Sequence, residues 1–412
     1  MDGSPFRPTK VWRVKKVRNS RTGQVLAVWA AATALSFIIL RLGAQDTPAT
    51  NWGQAAPSWL EHMAFWDAGW YERVSREGYP ETLPTDPSGR VSQNTWAFMP
   101  LLPALAGALG WTGWSFYACA ALVAIIASAG AAVVMDRWLA PRTGPTASLW
   151  GVAILWTSPC AAILQVPYAE SLGLLLVGAT LMLADRGRAL TAIPFAVLAA
   201  FARPVGVPLG AALCLWWAFE EARARGWVPH HWYSRLLPTH TPTSAGQHPR
   251  LAILALTTCA AALSWPVIAW ATTGRMDAYT ATETSWRGEH LMPFTPWLVR
   301  SQWWVGAHLG WMLVLAVLAL AALVLTSRSL RTLGAPAWFW CAGYMLYLLA
   351  FFDPTTSLFR LLLPLAPLAW AAAQAAGSTR RRLAVIAAGV VGQLLWVSWV
   401  WDLGSISIRW VP

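Results

Sequence analysis

An acidic residue set in an apolar helical pattern is the first feature of the sequence that could do chemistry. Five apolar side chains recur at spacings of 4, 3, 4 and 4 residues: Trp59, Met63, Trp66, Trp70 and Val74. This period predicts one apolar face on a helix that lies along a membrane surface. Asp67 stands at the border of that face, one turn from Met63 and from Trp70. A partly desolvated carboxylate there would suit a general base that takes a proton from a hydroxyl group. The alternative is a solvated acid on an interfacial helix.

Three arginines stand beside or between apolar segments: Arg203, Arg287 and Arg360. A guanidinium group is costly in such a place unless it is compensated, so each arginine indicates an anion or an acidic partner. Three together favour a phosphate, which the guanidinium fork binds well. The alternative for each is a pair within the protein, with Glu170, with Asp353 or with the carbonyl end of a helix.

The elements that must position these residues are membrane helices. Of 412 residues, 57% are hydrophobic and 12% are charged, and the mean hydropathy is +0.45; soluble domains carry about 25% charged residues. The composition therefore predicts an all-α polytopic membrane protein. Eleven apolar segments are candidate spans: 25–42, 115–135, 147–164, 168–184, 189–202, 204–219, 251–273, 306–326, 336–351, 357–376 and 383–401. The apolar segment 100–109 is about half the length of a span, and we expect an outer-face or re-entrant helix there.

The distribution of charge predicts how the chain crosses the membrane. With the N-terminus inside, 20 of the 30 basic residues and 5 of the 18 acidic residues fall on the cytoplasmic side. The inner side then carries +15 and the outer side −3, as the positive-inside rule requires. We expect a multi-pass protein of the cell membrane with a cytoplasmic N-terminus and the C-terminus outside. The basic excess is a topology signal, so nucleic acid is not an expected partner.

The same topology divides the chain into four parts. Residues 1–24 form a basic cytoplasmic N-terminus, and residues 25–219 form a membrane core that includes an outer loop at 43–114, with its interfacial helix after the first span. Residues 220–250 form a cytoplasmic linker. Residues 251–412 form the C-terminal membrane helices, with an outer loop at 274–305.

Cysteine and histidine do not predict a metal centre. The cysteines all lie inside apolar segments and are interpreted as packing residues: Cys119, Cys160, Cys214, Cys259 and Cys341. Four histidines fall in the cytoplasmic linker without helical spacing, which disfavours a metal site: His230, His231, His240 and His248. His62 and His290 lie on the outer loops, where they could assist an acceptor site, although ordinary surface histidines are the better interpretation.

Several short motifs, in order, resemble a known family. The first group is Phe65-Trp66-Asp67-Ala68-Gly69-Trp70-Tyr71, then Gly78-Tyr79-Pro80, then Ala97-Phe98-Met99-Pro100-Leu101-Leu102-Pro103. It resembles the luminal first loop of the PIG-V type mannosyltransferases (GPI mannosyltransferase-like), multi-span glycosyltransferases of the GT-C class. In the last element Met99 precedes the first proline, and Leu102 replaces the family's Tyr.

Later motifs continue the resemblance in the same order. Pro167-Tyr168-Ala169-Glu170-Ser171 is similar to the family's Pro-Tyr-Ser-Glu-Ser, and Ala202-Arg203-Pro204-Val205-Gly206 to its Thr-Arg-Pro-Asn-Gly, without the Asn. Trp286-Arg287 with Pro293 is similar to the second-loop element, and Phe359-Arg360 with Pro364 to the late Arg-Tyr segment. The chain thus resembles a bacterial member of the family over most of its length.

The resemblance implies an activity and a site. It implies an inverting glycosyltransferase that moves mannose from a polyprenyl-phosphate-mannose donor to an acceptor hydroxyl on the outer face of the membrane. The acceptor would be a glycan, a glycolipid or a protein, membrane lipids would surround the enzyme, and no metal or other cofactor is needed. Asp67 would be the catalytic base, and Arg203, Arg287 and Arg360 would bind the donor phosphate. The expected substrate-binding residues are Trp66, Trp70, Tyr71, Tyr168, Glu170 and Trp286.

Two other functions fit a polytopic membrane protein. A transporter or flippase for a lipid-linked glycan would bind the same lipid without making a bond. Such proteins commonly show repeated halves and polar groups near the membrane midplane. Here no repeat is evident, and the polar groups fall on one face. A membrane scaffold protein would not need an acid opposite three arginines.

Overall fold

The computed structural model describes residues 20–49, 54–238, 244–286 and 292–402. These ranges form α-helices joined by turns and by a longer loop at residues 78–100, in which the pairing of Thr85 with Val91 is an isolated bridge rather than a strand. The α-helices described are α1 Arg21–Asp46, α2 Trp59–Met63, α3 Asp67–Glu77, α4 Leu101–Ala108, α5 Phe116–Thr143, α6 Pro145–Trp156, α7 Glu170–Asp185, α8 Ala189–Ala202, α9 Gly206–Ala224, α10 His230–Leu236, α11 His248–Thr273, α12 Ala278–Ser285, α13 Thr295–Val305, α14 Ala307–Thr326, α15 Arg328–Arg331, α16 Ala335–Phe351, α17 Leu358–Leu361, α18 Pro367–Ala376 and α19 Thr379–Trp396. Shorter turns of 3-10 helix lie at Thr95–Ala97, Gly110–Thr112, Ala161–Gln165, Ala245–Gln247 and Leu363–Leu365, and a π-helical turn, Val397–Trp401, continues α19.

Several of these helices are long and apolar enough to cross a membrane. Within the described ranges five qualify, namely α1, α5, α11, α14 and α19 with its π-helical turn. The segment from α17 through α18 would be a sixth, although it bends by 76°. The predicted all-α class is therefore confirmed for the described residues, and the helices suit a multi-pass membrane protein. The count of eleven spans stays a prediction.

Prolines break two of the predicted spans. The segment 147–164 is helical only to Trp156, and a tight turn at Pro159 leads into the buried 3-10 segment Ala161–Gln165. The segment 357–376 contains Pro364 and Pro367, and it divides into α17, a 3-10 turn and α18. Proline has no amide hydrogen to donate to the preceding turn of a helix, so the chain bends at these points.

Small residues bring the central helices close together. Of the 16 residues of α7, 12 are buried, so this helix lies inside the bundle. A Cβ atom added at Gly210 of α9 would lie 2.7 Å from the Cys259 sulfur of α11. One added at Gly343 of α16 would lie 3.2 Å from the Cβ of Ala212 on α9. Such contacts let helix backbones approach closely, as is typical of membrane bundles.

Residues of the segments predicted to be cytoplasmic contact one another across helices. Arg21 of α1 donates from Nε to Asp136 of α5 at 3.0 Å. Arg142 of α5 pairs with Asp185 of α7 at 2.6 Å. These contacts fix one end of the bundle. The predicted linker is also more structured than its composition indicates, because α9 continues to Ala224 and α10 follows it.

The outer loop 43–114 does not contain the single interfacial helix that the apolar spacing predicts. That prediction is wrong: α2 ends at Met63, α3 begins at Asp67, and Trp66 between them has a φ of +62°. Since Trp66 takes a left-handed conformation, the apolar face is interrupted, and Asp67 becomes the first residue of a new helix. The segment 100–109 forms α4, which is too short to cross a membrane and packs against α3 and α5.

Candidate active site

The turn before Asp67 is strained and is held by a distant tyrosine. A left-handed conformation at a residue such as Trp66 costs about 1–3 kcal/mol. The hydroxyl of Tyr168, which is 1% exposed, accepts the Asp67 backbone N–H at 2.9 Å and donates to the Phe65 carbonyl at 2.9 Å. Trp66 donates from its indole to the Trp401 carbonyl at 3.2 Å. The strained turn is thus fixed by groups from two other parts of the chain.

The Asp67 carboxylate pairs with one of the predicted arginines. Arg360 Nη1 donates to Asp67 Oδ2 at 2.5 Å, and Arg360 Nε lies 3.4 Å from Glu170 Oε1. The Arg360 guanidinium carbon lies 5.5 Å from the centre of the Tyr168 ring, a cation–π distance. Arg360 comes from α17, where the bent segment brings it to the start of α3. It is therefore held between two acids and an aromatic face.

Glu170 joins Arg360 to Arg203. Glu170 is the first residue of α7, where the helix dipole favours a negative charge, and it pairs with Arg203 at the end of α8. Its oxygens meet the two guanidinium groups as ion-pair contacts and make no aligned hydrogen bond within the described ranges. Gly173, one turn along α7, leaves room for Arg203, since a Cβ there would lie 3.2 Å from Arg203 Cδ. The result is an alternating row of charges, Asp67–Arg360–Glu170–Arg203.

A cavity of about 360 Å³ opens in front of this row. That volume is in the range of small-molecule pockets. The charged residues that line it are Asp67, Arg203, Glu283, Arg300, Asp353 and Arg360. Tyr71 and Trp286 also line it, so five of the residues predicted from the sequence face one cavity.

The other predicted residues lie elsewhere. Glu170 and Tyr168 stand behind Arg360 rather than in the cavity wall, and Trp66 faces the Trp401 carbonyl. Trp70 supports the wall, because it stacks on Phe98 at 5.6 Å with an interplanar angle of 7° and meets Trp286 edge-on at 5.2 Å. Arg287 lies outside the described residues.

Arg300 and Asp353 are cavity residues that the sequence analysis did not assign to the site. Arg300 Nε donates to Asp353 Oδ1 at 3.0 Å, and Arg300 Nη2 also contacts Asp353 Oδ2. The sequence offers Asp353 only as a partner for the other arginines, whereas the structure pairs it with an arginine of the second outer loop. One signal was available, since Arg300 follows Trp297 by three residues and so borders the buried face of α13.

Two further buried side chains, Tyr71 and His62, lie near the turn. Burial raises the pKa of Tyr71 above its ordinary value, so this phenol stays neutral near pH 7. His62 is fully buried against Phe65, and its Nε2 lies 3.5 Å from Asp402 Oδ1. The expectation of a surface histidine is therefore wrong for His62. His290 lies outside the described residues.

One wall of the cavity combines a carboxylate with two guanidinium groups. Asp67 can take up a proton, and Arg203 and Arg360 can hold an anion. Over the part of the chain that the structure covers, no three or more His, Cys, Asp or Glu side chains are grouped so as to hold a metal ion. Comparison of the chain with models of known families, with curated proteins and with solved structures gives no match.

Proposed function

We propose that the protein is an inverting glycosyltransferase of the membrane. It would move mannose from polyprenyl-phosphate-mannose to an acceptor hydroxyl on the outer face. The observation that supports this best is that Asp67, Arg203 and Arg360 line the same cavity. The sugar and its lipid carrier rest on the resemblance to the PIG-V type mannosyltransferases.

The proposed reaction is a direct displacement. Asp67 accepts the proton of the acceptor hydroxyl, whose oxygen forms a bond to the anomeric carbon from the face opposite the phosphate. The bond from that carbon to the phosphate oxygen breaks with its electron pair, so the configuration inverts and polyprenyl phosphate leaves. The leaving phosphate gains negative charge, and Arg203 and Arg360 stabilise it because they are already in place.

The ion pair between Asp67 and Arg360 gives the donor a way to activate the base. A guanidinium group has five N–H donors, and in Arg360 Nη1 contacts Asp67 while Nε faces Glu170. A phosphate that binds Arg360 competes with Asp67 for the positive charge of the guanidinium group, and it weakens the Asp67–Arg360 pair. A carboxylate with a weaker cation partner accepts a proton more readily. Binding of the donor would therefore prepare Asp67 for the acceptor.

The proposed topology has eleven crossings in a GT-C arrangement, with the N-terminus cytoplasmic and the C-terminus outside. The charge distribution supports it, and so do the contacts of Arg21 with Asp136 and of Arg142 with Asp185 in segments assigned to the inner side. The cavity residues come from segments assigned to the outer side and from the outward-facing parts of predicted spans. A site facing outward would meet lipid-linked donors rather than nucleotide sugars.

The test is transfer of radiolabelled mannose from polyprenyl-phosphate-mannose by the purified protein, with a membrane extract as the source of acceptors. Asp67→Asn should bind the donor and abolish most transfer, because an amide cannot take the proton. Asp277→Asn is the matched control, since Asp277 is an exposed outer-loop acid paired with Arg275. Unchanged transfer by Asp67→Asn would remove this residue from its role. Movement of an intact lipid-linked glycan across vesicles, without release of polyprenyl phosphate, would favour the flippase.

A further inference from the structure

Arginines without an acidic partner collect in the segments predicted to be cytoplasmic. Among the described residues these segments contain fourteen arginines and four acids. Each acid pairs with an arginine: Arg21–Asp136, Arg142–Asp185, Arg223–Glu220 and Arg225–Glu221. The other ten make no ion pair with any residue that the structure describes: Arg137, Arg186, Arg188, Arg235, Arg250, Arg328, Arg331, Arg380, Arg381 and Arg382. Their positive charge is therefore left for a partner outside the described chain.

Contacts between helix ends place these arginines at one end of the bundle. A Cβ atom added at Gly334, which precedes α16, would lie 2.8 Å from Arg142 Nε of α5. Arg186, directly after α7, donates to a carbonyl of α5 at 2.8 Å. Thr332, directly after α15, donates to Gln374 of α18 at 3.1 Å. These helix ends are neighbours, so the unpaired cations share one end of the molecule.

The end of α10 is fixed against α15 at this end of the bundle. Arg331 Nη1 of α15 donates to the Arg235 carbonyl of α10 at 2.7 Å. Leu237, directly after α10, is 1% exposed, and the Arg223 guanidinium carbon lies 5.9 Å from the centre of the Tyr233 ring. These contacts hold the backbone of α10 in place and leave the side chain of Arg235 exposed.

The neighbouring helix α14 places the same corner at the border of the membrane. All of α14 is described, and Gly310 is its one buried residue, so its apolar surface suits lipid tails. The helix ends at Thr326, and Arg328 follows two residues later, exposed and one turn from Arg331. With α14 among lipid tails, Arg328 lies at the level of the headgroups, where a guanidinium group can donate to phosphate.

Exposed indoles accompany the arginines of α10. Trp232 on α10 is 68% exposed, and Trp227, in the turn before α10, is 69% exposed. The Arg225 guanidinium carbon lies 5.1 Å from the centre of the Trp227 ring. Indoles prefer the headgroup region of a bilayer. A basic surface with exposed tryptophans is therefore typical of contact with lipid headgroups, whereas a soluble anion would leave these indoles in water.

We infer that α10 and α15 form a binding surface for anionic phospholipids, with Arg235 and Arg328 at the phosphate and Trp232 among the headgroups. The occupant is a bilayer lipid because the surface is continuous with the exposed apolar face of α14, which a partner from solution would not cover. The inference is independent of the proposed transfer activity, since none of these three residues lines the cavity.

The test measures lipid binding by the purified full-length protein in a neutral detergent, by native mass spectrometry. Dioleoylphosphatidylglycerol and dioleoylphosphatidylcholine are titrated separately, because they share their acyl chains and differ in net charge. The protein should bind phosphatidylglycerol more tightly. The double variant Arg235→Gln with Arg328→Gln should bind it about 25-fold more weakly at the strongest site, about fivefold for each arginine near the headgroups, and should bind phosphatidylcholine as before.

The matched control is Arg90→Gln, because Arg90 is an exposed arginine of the outer loop. It should bind phosphatidylglycerol as the unaltered protein does. Trp232→Ala should weaken binding, whereas Trp111→Ala, which removes an outer-loop indole that is 84% exposed, should not. Arg235→Lys with Arg328→Lys keeps both charges and should retain most of the binding. Thermal unfolding of every variant shows whether it is folded.

Three results would overturn the inference. The first is equal affinity for the two lipids, or an equal loss of phosphatidylglycerol binding in Arg90→Gln and in the double glutamine variant. The second is binding of glycerol 3-phosphate that depends on Arg235 and displaces phosphatidylglycerol, which would assign the surface to a free phosphate. The third is tighter binding of poly-L-glutamate than of phosphatidylglycerol, which would assign it to an acidic protein.

Discussion

Glu170 compensates the charges of two neighbouring arginines, Arg203 and Arg360. Its replacement by Gln should therefore destabilise the protein strongly. The Glu170 and Arg360 side chains are only 3% and 11% exposed, and their charged atoms lie 3.4 Å apart. At an effective dielectric constant of about 20, two charges at that distance attract by roughly 5 kcal/mol before desolvation is subtracted. The Gln side chain keeps the volume and loses the charge, which leaves Arg203 without the acid it pairs with. Removing one partner of a buried pair costs about 3–5 kcal/mol.

The assay is unfolding of the purified protein in mixed micelles, followed by tryptophan fluorescence. Glu77→Gln is the matched control, because Glu77 pairs with Arg73 and Arg76 on an exposed helix face and its side chain is 44% exposed. Loss of that surface pair should lower the stability far less than loss of the buried pair, because water screens exposed charges. Both variants replace Glu by Gln, so the difference between their free energies of unfolding gives the effect of burial.

A double variant tests the reasoning itself. If the cost arises from an uncompensated guanidinium group, Glu170→Gln with Arg203→Met should be more stable than Glu170→Gln alone. The account is refuted if Glu170→Gln unfolds like Glu77→Gln. It is also refuted if the changes in the free energy of unfolding caused by the two single substitutions sum to that of the double variant, because Glu170 and Arg203 would then not be coupled.

Three further substitutions probe the turn and the cavity. Tyr168→Phe removes a hydroxyl that makes two hydrogen bonds of 2.9 Å at the Asp67 turn, so we expect about 1–3 kcal/mol lower stability and a lower kcat, with the KM for the donor unchanged. Gly173→Ala places a Cβ 3.2 Å from Arg203 Cδ, and displacement of the guanidinium group should raise the KM for the donor. Tyr71→Phe should leave the shape of the pH–rate profile unchanged up to about pH 10, where an ordinary tyrosine ionises, because burial raises the pKa of this phenol and both side chains are neutral there.

Each of these predictions has a result that contradicts it. Gly69→Ala is the control for Gly173→Ala, since a Cβ at Gly69 meets nothing within 4 Å; equal KM values in the two variants would refute the role of the space beside Arg203. Loss in Tyr71→Phe of an alkaline inflection that the unaltered protein shows below about pH 10 would show that this phenol titrates. For Tyr168, a rise in the donor KM with an unchanged kcat would indicate contact with substrate and not support of the turn.

The sequence predicted the helical class and three of the six charged residues that line the cavity, because both depend on local patterns. Runs of apolar residues are long enough to identify helices without knowledge of their neighbours. Arg203 and Arg360 could be singled out because a cation next to apolar segments needs a partner, wherever that partner lies. The same reasoning correctly offered Glu170 as a structural partner for an arginine, which is where the structure places it.

The break between α2 and α3 and the Arg300–Asp353 pair could not be predicted, because both depend on contacts between residues that are far apart in the chain. The break between α2 and α3 is fixed by Tyr168, about a hundred residues later, so the spacing of the Trp59 to Val74 face could not reveal it. Asp353 could be recognised as a partner for some arginine, but the choice of Arg300 follows from the packing of α13 against α16. Local hydrophobic periodicity contains no information on either contact.

The most direct test of the central claim is a structure of the protein with a polyprenyl phosphate bound. The account predicts the phosphate in the cavity, with its oxygens within about 3 Å of guanidinium nitrogens of Arg203 and Arg360, and with the Asp67 carboxylate facing the same space. The Asp67–Arg360 pair should be longer than the 2.5 Å seen here. A phosphate bound elsewhere, with the Asp67–Arg360–Glu170–Arg203 row unchanged, would contradict the account.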